Sequence, residues 1–129
     1  MSDQKKPVVG IGVDMCSVSR MEKAIGKEHF YSRIFTERER AYLDQKNKAR
    51  AQSAAAMYAA KEAAAKAFGT GIAQGIFFDQ IEVTHDALGA PGIALYGAAL
   101  ERMRRMGGTD MLLSLSHEGD MAIAFVVMQ

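Results

Sequence analysis

The sequence predicts a compact single domain of the α+β class, with an antiparallel sheet and packed helices. Three observations carry this. Strand-like segments stand near both ends of the chain, and helical periodicity fills most of the stretch between them. Two strand pairs are each joined by a short turn sequence, Leu88-Gly89-Ala90-Pro91-Gly92 and Glu118-Gly119-Asp120, which makes their pairing antiparallel. The 129 residues are enough for one buried core and too few for two. The expected order is β-α-α-α-β-β-α-β-β.

Met1 to Lys6 is polar and charged and reads as a flexible tail, leaving 7–129 as the domain. Val8 to Met15 is a short apolar strand ending near Asp14. Its Gly10 and Gly12 mark either a bulge or the close approach of another backbone. From Ser17 or Ser19 the pattern turns helical, with Val18, Met21 and Ile25 on one face and Gly26 as the stop. Thr36-Glu37-Arg38-Glu39 is a capping-box sequence and opens a helix that runs to about Gln45. After a basic break at Asn47 to Arg50 comes the longest helix, Ala51 to Phe68, stopped by Gly69. Gln80 to His85 and Ile93 to Tyr96 are strands. Gly97 to Met106 is a helix with a basic end that suits its dipole. Met111 to Ser116 and Met121 to Met128 form the last hairpin.

Composition excludes several function classes. A formal net charge of +1 offers no bulk attraction to nucleic acid or membrane. No apolar run approaches the roughly 18 residues of a membrane span, and the start of the chain has no secretory signal pattern. The single cysteine, Cys16, rules out an internal disulfide and suits a reducing compartment, so the expected location is cytoplasmic.

The densest polar cluster interrupts the alanines of the long helix. Glu62 and Lys66 are four residues apart and project from one face, beside Lys61. By spacing alone they are an exposed ion pair worth ~0.3–0.5 kcal/mol. Gly69-Thr70-Gly71 follows at once; it is either a helix cap and tight turn or a backbone cradle for phosphate. The Walker spacing is absent. Asp14, at a strand end before a helix, is either a cap or a hard oxygen ligand that could pair with Glu62. His117 follows the strand Met111 to Ser116 and is either a structural or solvated histidine or a donor to a phosphate. Arg20, Lys23 and Lys27 fall at i, i+3 and i+7, giving a basic stripe on the first helix or an ordinary solvated face.

Taken as one pattern, G-I-G-V-D (10–14), R-I-F-T-E-R-E (33–39), A-A-K-E-A-A-A-K-A-F-G-T-G-I (59–72) and S-L-S-H (114–117) resemble the holo-acyl-carrier-protein synthase family. These are small, trimeric 4′-phosphopantetheinyl transferases. The match runs in order from Val9 to near the C-terminus, and 61–71 is its most specific part.

The resemblance implies the phosphopantetheinyl transferase fold and a Mg²⁺-dependent transfer of 4′-phosphopantetheine from coenzyme A to a serine of apo-acyl carrier protein, in fatty-acid biosynthesis. It implies that Asp14 and Glu62 bind Mg²⁺ and that Lys66 contacts the pyrophosphate and stabilises the leaving 3′,5′-ADP. Gly69, Thr70 and Gly71 then lie beside the coenzyme, and His117 near its phosphates. Glu62 or a metal-held water takes the serine proton. Arg20 docks the acidic carrier protein, with Lys23 and Lys27 extending its surface. The assembly is a homotrimer with active sites at subunit interfaces, and Cys16 is left as a packing residue. One departure stands out: Met57 occupies a position where many relatives have an arginine that is a contact of the coenzyme's phosphates. Lys48 and Arg50 are the candidates to replace it at the 3′-phosphate. The rival reading is a coenzyme A or nucleotide-binding module of the same fold without turnover.

Overall fold

The computed structural model describes residues 6–129; residues 1–5 of the expected tail lie outside the described residues. Strand β1 (Gly10–Ser17) runs directly into helix α1 (Val18–Ile25), whose N-terminus is capped by the Ser17 hydroxyl. Helix α2 (Glu28–Ile34) follows after one short turn. Sequence periodicity did not identify α2. It is only 7 residues long and its N-cap, Lys27, makes no side-chain cap bond. Helix propensity is too weak a signal over two turns. Its one legible trace is the apolar spacing of Phe30, Tyr31 and Ile34.

Helix α3 (Glu37–Asp44) opens with the expected capping box. Thr36 Oγ1 accepts from the Glu39 amide at 3.2 Å, and the Thr36 amide donates to Glu39 Oε1 at 2.8 Å. A single 3₁₀ turn over Asn47–Ala49 forms the basic break before α4 (Arg50–Ala67). Strands β2 (Ile81–His85) and β3 (Pro91–Leu95), helix α5 (Gly97–Arg105), and strands β4 (Met111–Glu118) and β5 (Met121–Met128) complete the chain.

All pairing is antiparallel, but it divides between two sheets rather than one. The larger has the order β1-β5-β4, so the first strand lies against the last; β2 and β3 pair separately. Because side chains alternate, Gly10, Gly12 and Asp14 of β1 share a face with Met128, Val126 and Ala124 of β5. That face packs on α4. The helix buries alanines at 54, 55, 59, 60, 63, 64, 65 and 67, and so presents almost bare backbone to the sheet. A Cβ at Gly12 would run into the Ala63 carbonyl, and one at Gly10 into that of Ala67. The glycines of β1 therefore mark close backbone approach, one of the two readings open for them.

The opposite face of the sheet is apolar and uncovered. Ile11 is 62% exposed, Val13 52%, Met15 55%, Leu112 50% and Phe125 45%. Strand register places all five on the same side.

Behind α4 lies a buried polar network. Lys61 and Glu39 are both fully enclosed and form an ion pair at 2.8 Å. Lys61 Nζ also donates to the carbonyls of Phe78 (2.8 Å) and Ile81 (2.6 Å), while Glu39 Oε2 accepts from the Val83 amide at 2.7 Å. The Thr36 hydroxyl donates to Glu82 at 2.6 Å, tying the start of α3 to β2. Every charge here has partners, as buried charge requires.

Candidate active site

Tyr58, Glu62 and Lys66 succeed one another at four-residue intervals and form one line along α4. The line runs beside β1, and Lys66 bridges the two elements. Its ammonium donates to the Val13 carbonyl at 3.0 Å and pairs with Asp14 Oδ1 at 3.1 Å. The ion pair that spacing suggested between Glu62 and Lys66 is thus replaced by one between Lys66 and Asp14. Lys61, one residue before Glu62, turns the other way into the network above.

Asp14 and Glu62 stand as two acids beside a single lysine. Burial holds the Glu62 carboxyl above the ordinary carboxylate range; Asp14 adds to this, while the Tyr58 hydroxyl and Lys66 oppose it. Burial pushes the Tyr58 hydroxyl up to about 12, with Glu62 contributing. Burial, followed by the charge of Asp14, pushes the Cys16 thiol up to about 11. That thiol stays protonated at neutral pH and is a poor nucleophile, in keeping with its reading as a packing residue.

Beyond Lys66 the chain turns sharply. Gly69 and Gly71 have φ of 76° and 67°, in the left-handed region that favours glycine. The Gly69 and Gly71 amides bond back to the Lys66 carbonyl (2.9 Å) and the Ala65 carbonyl (3.1 Å). The segment is therefore a helix terminus and tight turn three residues from Lys66. Its far side is braced by Arg102 of α5, which donates to the Phe68 carbonyl from Nε at 3.0 Å and from Nη2 at 2.9 Å. Sequence reasoning missed Arg102, since nothing local ties α5 to the end of α4.

His117 does not join this cluster within the chain. Strand β5 separates it from Asp14. Its Nδ1 lies 3.2 Å from Gln52 Nε2, and Gln52 and Glu62 are ten residues apart on α4, about 15 Å along the axis. It lines a second feature, a hollow of about 520 Å³ that also has Gln52, Ser53, Met57, Tyr42 and His85 in its wall. The Tyr42 and His85 rings stack there with centroids 4.0 Å apart. Met57 is buried to 1% exposure and puts a thioether in this wall. Neither Lys48 nor Arg50 lines the hollow. Arg50 lies over the Tyr31 ring at 4.6 Å and 3.7 Å from Asp44, and Lys48 is exposed on the 3₁₀ turn.

The basic stripe is corrected in one respect. Arg20 and Lys23 are exposed on α1, but that helix ends at Ile25 and Lys27 is the N-cap of α2. The physical cause is the turn at Gly26, which breaks the i+7 relation. The β4–β5 turn fastens the start of α1, with Asp120 accepting from the Ser17 hydroxyl (2.8 Å), the Ser19 hydroxyl (2.7 Å) and the Ser19 amide (2.9 Å). No described helix is long and apolar enough to cross a membrane.

Comparison with known proteins gives consistent results. Residues 10–126 match the profile of the 4′-phosphopantetheinyl transferase superfamily. A holo-[acyl-carrier-protein] synthase of Solidesulfovibrio magneticus is 43% identical over 93% of this chain and 97% of its own. The crystal structure of the corresponding Neisseria meningitidis synthase superposes with a TM-score of 0.84, at 38% identity, covering 95% of this chain and 99% of that one. The Helicobacter pylori synthase, solved in complex with coenzyme A, superposes at 0.80 with 31% identity over 92% and 99%. With the matched span reaching from the glycines of β1 almost to the end of β5, the chain belongs to the 4′-phosphopantetheinyl transferase superfamily.

Proposed function

We propose that this chain is a holo-acyl-carrier-protein synthase, transferring 4′-phosphopantetheine from coenzyme A to a serine of apo-acyl carrier protein. The observation that carries this reading is the meeting of Asp14, Glu62 and Lys66 along the β1–α4 seam, immediately before the Gly69-Thr70-Gly71 turn. The serine oxygen attacks the β-phosphorus of coenzyme A, the bond from that phosphorus to the bridging oxygen breaks, and 3′,5′-ADP leaves. The nucleophile comes from the partner, which accounts for the absence of an activated serine or cysteine in the cluster. The serine proton goes to Glu62, which shares the cluster with Asp14 and Lys66, or to a water that the metal would hold. Lys66 is 54% exposed at its side chain and within reach of Asp14, so its ammonium is placed to meet charge on the departing oxygen.

Asp14 and Glu62 fit a Mg²⁺ ion. The Asp14 charge raises the cost of ionising Glu62, and a divalent cation relieves that cost. No cluster of three or more ligand side chains occurs among the described residues. An ion held here would have these two carboxylates as its protein ligands and substrate phosphates to complete it. When bound there, the ion neutralises pyrophosphate charge.

The active unit is a homotrimer in the cytoplasm. The uncovered apolar face of the β1-β5-β4 sheet supports the assembly, since contiguous exposed apolar surface marks an association site. Assembly also gives His117 a route to the Asp14 cluster, from a neighbouring copy. Carrier proteins are acidic, and Arg20 and Lys23 give α1 a basic surface beside the cluster.

The test is intact-protein mass spectrometry of an apo-acyl carrier protein incubated with this chain, coenzyme A and Mg²⁺. We expect a gain of one phosphopantetheine, about 340 Da from its covalent structure, abolished by chelator and by Glu62→Ala. Coenzyme A binding without any gain in mass, across several carrier proteins, would leave a binding module.

A further inference from the structure

The end of α4 poses an electrostatic problem for the function proposed above. An 18-residue helix concentrates negative partial charge on its last carbonyls, and the turn that follows α4 is the one read as lying beside coenzyme A, an anionic ligand. Three of those carbonyls are covered locally: the Phe68, Gly69 and Gly71 amides bond to Ala64, Lys66 and Ala65 respectively. The Ala67 carbonyl faces Gly10 of β1. The Phe68 carbonyl, the last before Gly69, is met by the guanidinium of Arg102, which donates both Nε and Nη2 to it.

We infer that Arg102 is a positioning residue for coenzyme A binding, bracing the Gly69-Thr70-Gly71 turn and cancelling the negative helix end beside it. The inference rests on the coenzyme A reading of the turn. Two features point this way. A two-pronged guanidinium contact fixes both the direction of the carbonyl and the distance between α4 and α5, which one ammonium cannot do. The same side chain also lies next to the turn itself. Nη2 is the nearest atom that a Cβ at Gly69 would meet, at 3.9 Å, and Arg102 and Thr70 together border a hollow of about 110 Å³. Arg105 borders it too, but is paired with Glu101 at 3.0 Å. Arg102 thus spends its charge on the helix terminus, where an approaching anion would otherwise be repelled.

Arg102→Gln loses the charge and shortens the side chain while leaving an amide donor; Arg102→Lys keeps the charge and loses the fork. We expect calorimetric titration to show coenzyme A bound about tenfold more weakly by Arg102→Gln, a change of ~1.4 kcal/mol. Arg102→Lys should recover only part of this, and the KM for carrier protein should not move in either variant. Without any ligand, amide hydrogen exchange at Gly69 and Gly71 should be faster in Arg102→Gln. A role confined to stability would lower the melting temperature yet leave coenzyme A affinity unchanged, and that result overturns the inference. So would unchanged exchange in the turn. A wild-type chain that bound no coenzyme A would instead overturn the proposed transfer, and the exchange measurement would still decide the bracing.

Discussion

Lys61 and Glu62 are consecutive on α4 and face opposite environments. Glu62 looks along β1 towards Asp14. Lys61 is enclosed with Glu39 and two backbone carbonyls. Burial pushes the Lys61 ammonium below its usual range, and the Glu39 charge opposes that. Removing one member of such a pair leaves the other buried and unpaired, at a cost of about 3–5 kcal/mol. Lys61→Met should therefore lose stability of that order in urea denaturation, with a lowered midpoint and an unchanged slope. A loss below about 1 kcal/mol would mean that the enclosed pair contributes little beyond packing. The sequence motif presents Lys61, Glu62 and Lys66 as one polar patch. Helix geometry splits them, because neighbouring positions differ by about 100° around the axis.

At the scale of elements, β1 and α4 are held together by what they lack. Glycine in the strand and alanine in the helix let the two backbones close, and this closeness lets Lys66 reach Asp14. The start of α1 is fixed by Asp120 from a distant turn, so Arg20 is presented from an anchored helix rather than a loose loop. Arg20→Glu should raise the KM for an acidic carrier protein roughly 5- to 30-fold while leaving that for coenzyme A nearly unchanged, as expected for about 1–2 kcal/mol of charge complementarity. Steady-state kinetics with each substrate varied in turn will check it; a selective rise in the coenzyme A value would move Arg20 from docking to coenzyme binding. Most of these elements were readable in the sequence, because capping boxes, glycine stops and alternating strands act over a few residues. Helix α2 was not, since its seven residues owe their helicity to packing Tyr31 and Ile34 into the core. The Asp120 cap and the Arg102 brace were also hidden: each joins residues far apart in sequence.

For the whole molecule, the apolar face of the three-stranded sheet is the feature a monomer does not explain. Phe125 stands in its middle strand with its neighbours Val13 and Ser114 in register. Phe125→Glu should break the proposed trimer, so that sedimentation velocity reports monomer for the variant and three chains for the parent. Transfer activity should fall with assembly if His117 serves a neighbour's Asp14 cluster. A parent chain that sediments as a monomer and remains fully active would remove the trimer from the mechanism. Every element but α2, the antiparallel pairing and the residue types of the site were legible in the sequence itself, because periodicity, caps and motif spacing are local properties of a chain. Only the tertiary structure decided that Lys66 pairs with Asp14 rather than Glu62, that Lys61 is buried, that Lys27 leaves the basic stripe and that His117 stands apart across β5. Those outcomes depend on which distant segments share a surface, and the glycine–alanine seam between β1 and α4 sets that surface by allowing their backbones to meet.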